Sequence, residues 1–157
     1  MKKVTAKNHR KEKWYPRVVQ AVSAILSEGD VVVPVEVFMR LNLLKRKDLE
    51  DWRFCRIPYL EKVIQCNLSN ASRMLRVLRL HAMDRNLRPS LTGYMKWGKG
   101  RHRIRLRFSK TGDPNLEAAY STHYISARIP THKEQNKIAN SPAEPGSLAP
   151  GRSDPVR

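Results

Sequence analysis

The chain has 157 residues, with 31 Lys or Arg against 14 Asp or Glu, for a formal charge of +17. That length favours one domain with a flexible end, and the charge argues for a polyanionic partner, most often nucleic acid. No apolar run approaches the roughly 18 residues of a membrane-spanning helix, which argues against an integral membrane protein.

Residues 1–13 carry six basic and one acidic residue and almost no apolar ones. They read as a disordered basic arm. Lys2 and Lys3 are followed by no apolar stretch, so the start is not a secretory signal. Residues 15–28 read as a helix, with Val18, Val19, Val22, Ile25 and Leu26 at helical spacing and Gly29 as its stop. Val31 to Val33 suit a short extended piece. Pro34 suits the first turn of a second helix, where its missing N–H is not needed. Val37, Phe38 and Leu41 form that helix's apolar face. Asn42 to Leu44 read as a tight turn.

A third helix is expected over 48–54, with acidic residues near its N-terminus to complement the dipole. Pro58 opens a fourth, through about Gln65, presenting Leu60, Val63 and Ile64. Two short helices, a turn and a third helix are compatible with a helix-turn-helix. Trp52 is the expected core anchor, and Arg53 and Arg56 are available at the surface. The near-balanced local charge suits a structural helical bundle as well.

Ser69 is the expected N-cap of a longer fifth helix over 69–86. Ala71, Met74, Leu75, Leu78 and Ala82 share one face. Arg73, Arg76 and Arg79 spread over the opposite side, where they suit a phosphate strand or a groove. A solvated arginine face on a core helix is the simpler alternative. Residues 91–97 and 103–109 read as two strands joined by a loop with Gly98 and Gly100. In the second strand Ile104, Leu106 and Phe108 alternate with Arg103, Arg105 and Arg107, so period two puts three guanidiniums on one face. The loop adds Lys99, Arg101 and His102, flanked by Lys96 and Lys110. Eight basic residues, counting His102, thus fall within fifteen positions without one acid. Residues 69–110 carry a net +11 of the total. A surface that merely stays soluble mixes the signs. Tyr94, Trp97 and Phe108 are available to stack on bases, although strand aromatics more often join a core.

Asp113 and Pro114 start a final helix over 113–124. From Ala127 onward five of the ten prolines occur, and the composition reads as a disordered tail. The expected organisation is an arm (1–13), one nucleic-acid-binding domain (14–126) and a tail (127–157). The expected fold is α+β and mostly helical, with helix-turn-helix-like helices, a winged-helix-like basic hairpin and a C-terminal helix.

Several stretches carry a resemblance. Residues 49–61 (LEDWRFCRIPYLE), 97–100 (WGKG), 107–114 (RFSKTGDP) and 120–124 (YSTHY) resemble a bacterial protein family with no established activity. The resemblance spans roughly 34–125 and implies glycine at the place of Cys55. The Trp52-Arg53-x-x-Arg56-x-Pro58 run is also similar to the helix-to-turn junction of MerR-type and excisionase-type DNA-binding domains.

Catalytic constellations are weak. Cys55 and Cys66 with five scattered histidines lack zinc spacing, so no metal or other cofactor is expected. Both cysteines read as small apolar groups, and their low number suits a reducing compartment such as a bacterial cytoplasm. Asp48, Glu50 and Asp51 are close enough for a metal-dependent nuclease, but their position suits a helix N-terminus. Arg73, Arg76, His81, Tyr120 and Tyr124 are the residue types of a tyrosine recombinase, without its spacing. No phosphate-cradling glycine loop occurs. The expectation is a non-enzymatic protein that binds nucleic acid, duplex DNA before RNA. Its expected contacts are Arg73, Arg76, Arg79, Lys96, Lys99, Arg101, Arg103, Arg105, Arg107 and Lys110. The alternatives are an RNA-binding or ribosome-associated protein and a module for an acidic protein partner.

Overall fold

The computed structural model describes residues 2–100 and 103–127. Among the described residues the fold is α+β, with five α-helices and a small antiparallel sheet. Helix α1 (Tyr15–Glu28) carries proline in its first turn and buries Val18, Ala21, Val22 and Ile25. It ends at Gly29, whose N–H donates to the Ile25 carbonyl at 3.0 Å. Strand β1 (Val31–Val32) follows, then α2 (Pro34–Arg40), which begins on its proline. Helix α3 is Arg46–Arg53 and α4 is Leu68–Asp84. Strand β2 (Arg88–Leu91), α5 (Pro114–Ser121) and β3 (Thr122–Ile125) complete the set.

Three helices end in the same way. Asn42, Cys55 and Asn86 take φ of 60°, 62° and 57°. After α3, for example, Arg56 N–H donates to the Asp51 carbonyl and Cys55 N–H to the Trp52 carbonyl. This paired closure uses a left-handed residue to satisfy the last carbonyls. A non-glycine residue there carries about 1–2 kcal/mol of strain. Asparagine tolerates the conformation, whereas cysteine has no side-chain amide to offset it.

The elements differ from expectation at four points. The fourth expected helix is a single 3-10 turn, Leu60–Lys62. The cap of α4 is Asn67, not Ser69; its side chain accepts from Asn70 N–H at 2.8 Å. The final helix stops at Ser121, and residues 122–125 are the middle strand of the sheet, which has the order β1-β3-β2. Tyr124 pairs with Val32 on one side and Pro89 on the other. The expected hairpin is reduced to one bridge, Met95 with Arg105, because its flanking N–H groups go elsewhere. Thr92 donates to the Ser121 carbonyl, and Phe108 to the Glu117 carboxylate.

Residues 2–13, expected to be a disordered arm, are folded onto the domain. Val4 is only 2% exposed. A 3-10 turn, His9–Lys11, buries His9, whose ring bridges the Ala6 carbonyl at 3.1 Å and Asp84 at 2.9 Å. Glu12 receives Arg73 Nε at 3.0 Å and its Nη2 as well. The expected tail lies outside the described residues from 128 onward.

The core is a chain of rings. Trp52 lies against Phe108 (4.9 Å between centroids), and Phe108 stacks on Tyr120 at 5.4 Å. Phe38 and Tyr94 extend the cluster. Helix α1 packs on α4, and α5 packs on both α4 and α2.

The N-terminal contact has a pH signature. Hydrogen bonding from His9, aided by Arg10, holds the Asp84 carboxyl below its ordinary value of 3.8. A depressed carboxylate contributes stability above its unfolded value and loses it as pH falls through the folded one. The stability lost on acidification below about pH 4 is therefore expected to shrink in Asp84→Asn. Urea midpoints taken in steps of pH check this.

Candidate nucleic-acid interface

The arginine-bearing segment is held by its backbone. Leu106 N–H donates to the Tyr94 carbonyl, and Lys96 N–H to the Ile104 carbonyl, each at 2.8 Å. Beyond that pairing other elements take over. The Trp52 indole N–H of α3 donates to the Arg107 carbonyl at 2.8 Å. Leu60 N–H reaches the same carbonyl at 3.3 Å, and Glu61 N–H reaches that of Phe108 at 2.9 Å.

Two carboxylates complete the clamp. Glu117 of α5 accepts from Phe108 N–H at 3.0 Å, and from Ser109 N–H and hydroxyl at 2.6 Å each. Glu61 is buried and accepts from Lys110 N–H and the Tyr120 hydroxyl, both at 2.9 Å. Burial, then the adjacent Glu61, pushes the Tyr120 hydroxyl well above its ordinary range. Segments far apart in the chain, around Trp52–Glu61, Arg107–Lys110 and Tyr120, therefore meet here. Sequence reading missed Glu61 and Glu117. Their only signal was an acid beside apolar neighbours and an acid in a helix's first turn, both ordinary surface features.

With the backbone fixed, alternation decides the rest. Leu106 and Phe108 point inward and are buried, while Arg103, Arg105 and Arg107 are exposed. Ile104 departs from the expected apolar face and stands 45% exposed. Lys96, Lys99 and Lys110 are also exposed. Arg101 and His102 lie outside the described residues. Arg107 lies over the Tyr59 ring at 5.5 Å. A Cβ on Gly93 would stand 4.0 Å from Arg105 Cζ, so this guanidinium lies beside a residue with no side chain.

The decisive property is the missing countercharge. Arg10, Arg40, Lys47, Arg56 and Arg73 each face a carboxylate. Lys96, Lys99, Arg103, Arg105, Arg107 and Lys110 face none among the described residues, and no acid occurs between Asp84 and Asp113. Alternate residues of a strand are about 7 Å apart, where like charges in water repel by about 0.6 kcal/mol. A bound anion relieves that repulsion.

The α4 arginines are arranged differently. Arg73 is half-buried, pairs with Glu12 and donates to the Lys2 carbonyl at 2.7 Å. Arg76 Nε donates to the Val4 carbonyl, although the residue keeps an exposed surface. Arg79 is exposed. The expectation of three arginines on one open face is corrected by the docked N-terminal segment.

Trp52 is fully buried. Arg56 is exposed against Asp51 at 2.9 Å. Arg53 is half-buried, with its guanidinium 5.0 Å from the Tyr94 ring and 4.6 Å from that of Trp97. Tyr94 and Phe108 belong to the core, whereas Trp97 is 41% exposed. Burial pushes the Tyr94 hydroxyl up to about 12, and it shares a 2.8 Å hydrogen bond with His123 Nε2.

Among the described residues no group of three His, Cys, Asp or Glu side chains is placed to hold a metal ion. Tyr120 and Tyr124, weighed as nucleophiles, are buried. No described helix is long and apolar enough to cross a membrane. Comparison with family models, curated proteins and solved structures gives no match.

Proposed function

We propose that this is a non-enzymatic nucleic-acid-binding protein that grips the phosphate backbone with Lys96, Lys99, Arg103, Arg105, Arg107 and Lys110. The observation that carries the reading is the concentration of charge in a stretch without an acid. These six exposed cations have no carboxylate partner among the described residues, on a segment whose backbone is clamped by α3 and α5. Phosphate contacts set affinity and register without reading sequence. Arg76 and Arg79 are secondary contacts in this reading, and Arg73 is spoken for by Glu12.

Duplex DNA is the first partner to test. The strand order β1-β3-β2, with β1 between α1 and α2 and with α4 leading into β2, supports a winged-helix-like reading. The basic segment between β2 and β3 is then an enlarged wing. The two unpaired cysteines agree with a cytoplasmic setting.

The test is fluorescence anisotropy of nuclease-treated protein with labelled duplex DNA and a structured RNA. If six phosphates are neutralised, duplex affinity is expected to fall about 10³-fold between roughly 50 and 200 mM salt. A tighter complex with the RNA moves the protein to RNA binding. Failure to bind either assigns the charge to an acidic protein partner and overturns the proposal.

A further inference from the structure

Beside the basic segment lies a cavity of about 350 Å³. This volume is at the lower end of small-ligand pockets. Its walls combine an apolar floor from α2 with Tyr94 and Trp97, and the side chains of Glu36, Arg53, Thr92 and His123 also line it. Glu36 is engaged by Arg40 at 3.3 Å. Arg53 packs its guanidinium against the Tyr94 and Trp97 rings, and its buried Nε has no hydrogen-bond partner among the described residues. The free Nε–H of this guanidinium is a donor available to an acceptor in the cavity.

The cavity adjoins the proposed backbone contacts. Gly93 lines it, and the Arg105 guanidinium lies beside Gly93. Lys96, between Tyr94 and Trp97 in the chain, is exposed. A strand held by Arg105 therefore passes the cavity mouth. The Trp97 indole is packed by Arg53 and, edge-on, by Phe54 at 5.8 Å between centroids; the 41% of it that stays exposed is the surface open to a base, and Arg53 provides donors for a carbonyl-bearing base edge.

We propose that this cavity receives a single unpaired nucleobase from the nucleic acid whose backbone the basic segment holds. The inference rests on the backbone-binding reading and deepens it. Trp97 stacks on the base, Arg53 donates to its carbonyl edge and Arg105 holds the adjoining phosphate. An unpaired base costs less to take out of a helix than a paired one, which must be both unpaired and unstacked, at a few kcal/mol. The site therefore prefers a bulged or single-stranded position to a continuous duplex.

The test uses three labelled DNA duplexes that differ at one position: fully paired, with one bulged thymine, and with a bulged abasic residue. The full-length protein is expected to bind the thymine bulge about 10-fold more tightly than the other two. Trp97→Ala and Arg53→Met are expected to erase that preference while leaving paired-duplex affinity within about twofold. Trp97→Phe is expected to retain most of it, which separates stacking from a folding defect. Equal affinity of the wild type for all three duplexes overturns the cavity assignment but leaves backbone binding standing. Failure to bind any of them overturns both. Thymidine monophosphate that competes with the thymine bulge at equal concentration would assign the cavity to free nucleotides and overturn a strand-borne base.

Discussion

Replacing Arg103, Arg105 and Arg107 together with glutamate is expected to abolish nucleic-acid binding at about 150 mM salt while the protein stays folded. The three side chains are exposed, and none has a carboxylate partner among the described residues. Surface changes of this kind usually shift stability by about 0.5 kcal/mol or less each. Arg107 adds the loss of its contact with the Tyr59 ring, worth about 0.5–1 kcal/mol at an exposed site. Binding responds far more strongly, because three attractive charges become repulsive at the centre of the strip. Any residual complex is expected to show a salt slope shallower by about 3. Anisotropy titrations measure the affinity, and circular dichroism melting reports the fold. Retained binding by a folded triple variant would mean that Arg76, Arg79 or the loop carries the interaction, and would remove this segment from the site.

The second large effect is on stability. Trp52→Ala is expected to cost about 3–5 kcal/mol, a large part of the roughly 5–15 kcal/mol of an ordinary domain. The indole is fully buried, contacts Phe108 and Tyr94, and donates to the Arg107 carbonyl at 2.8 Å. Its loss opens a cavity under the basic segment and removes one of that segment's anchors. Trp52→Phe keeps part of the ring packing but loses the N–H and some of the buried ring volume, while Leu60 still donates to the same carbonyl. It is expected to cost about 1–3 kcal/mol. Urea unfolding followed by circular dichroism separates the two variants. Equal midpoints for wild type and Trp52→Ala would show that the Trp52 anchor contributes nothing to folding.

These predictions draw unequally on the sequence. Trp52 as a core anchor and the outward row of Arg103, Arg105 and Arg107 follow from composition and a period of two. The pairing of charge with structure does not. Arg73 and Arg53 look like any exposed arginine in a list of residues. One is neutralised by Glu12, 61 positions away; the other lies between two aromatic rings.

The folded N-terminal segment was illegible for a related reason. Residues 2–13 are polar, and composition correctly denies them a core of their own. Val4 and His9 need only a surface that already exists, and α4 supplies it. Strand β3 shows the same limit. Thr122, Tyr124 and Ile125 have strand propensity, but they continue a helical stretch from Pro114. Their state is decided by β1 and β2, whose open edges they pair.

Helix α1, the start of α2 at Pro34, the inward Leu106 and Phe108 and the concentration of charge were determined by the sequence alone. Each depends on neighbours within a few residues, where backbone geometry makes spacing informative. The docked N-terminus, the central strand, the Glu61 and Glu117 clamp and the cavity beside Arg53 were decided only by the tertiary structure. Each joins groups distant in the chain, and a buried carboxylate or an unpaired guanidinium differs from an exposed one solely in what the fold brings next to it.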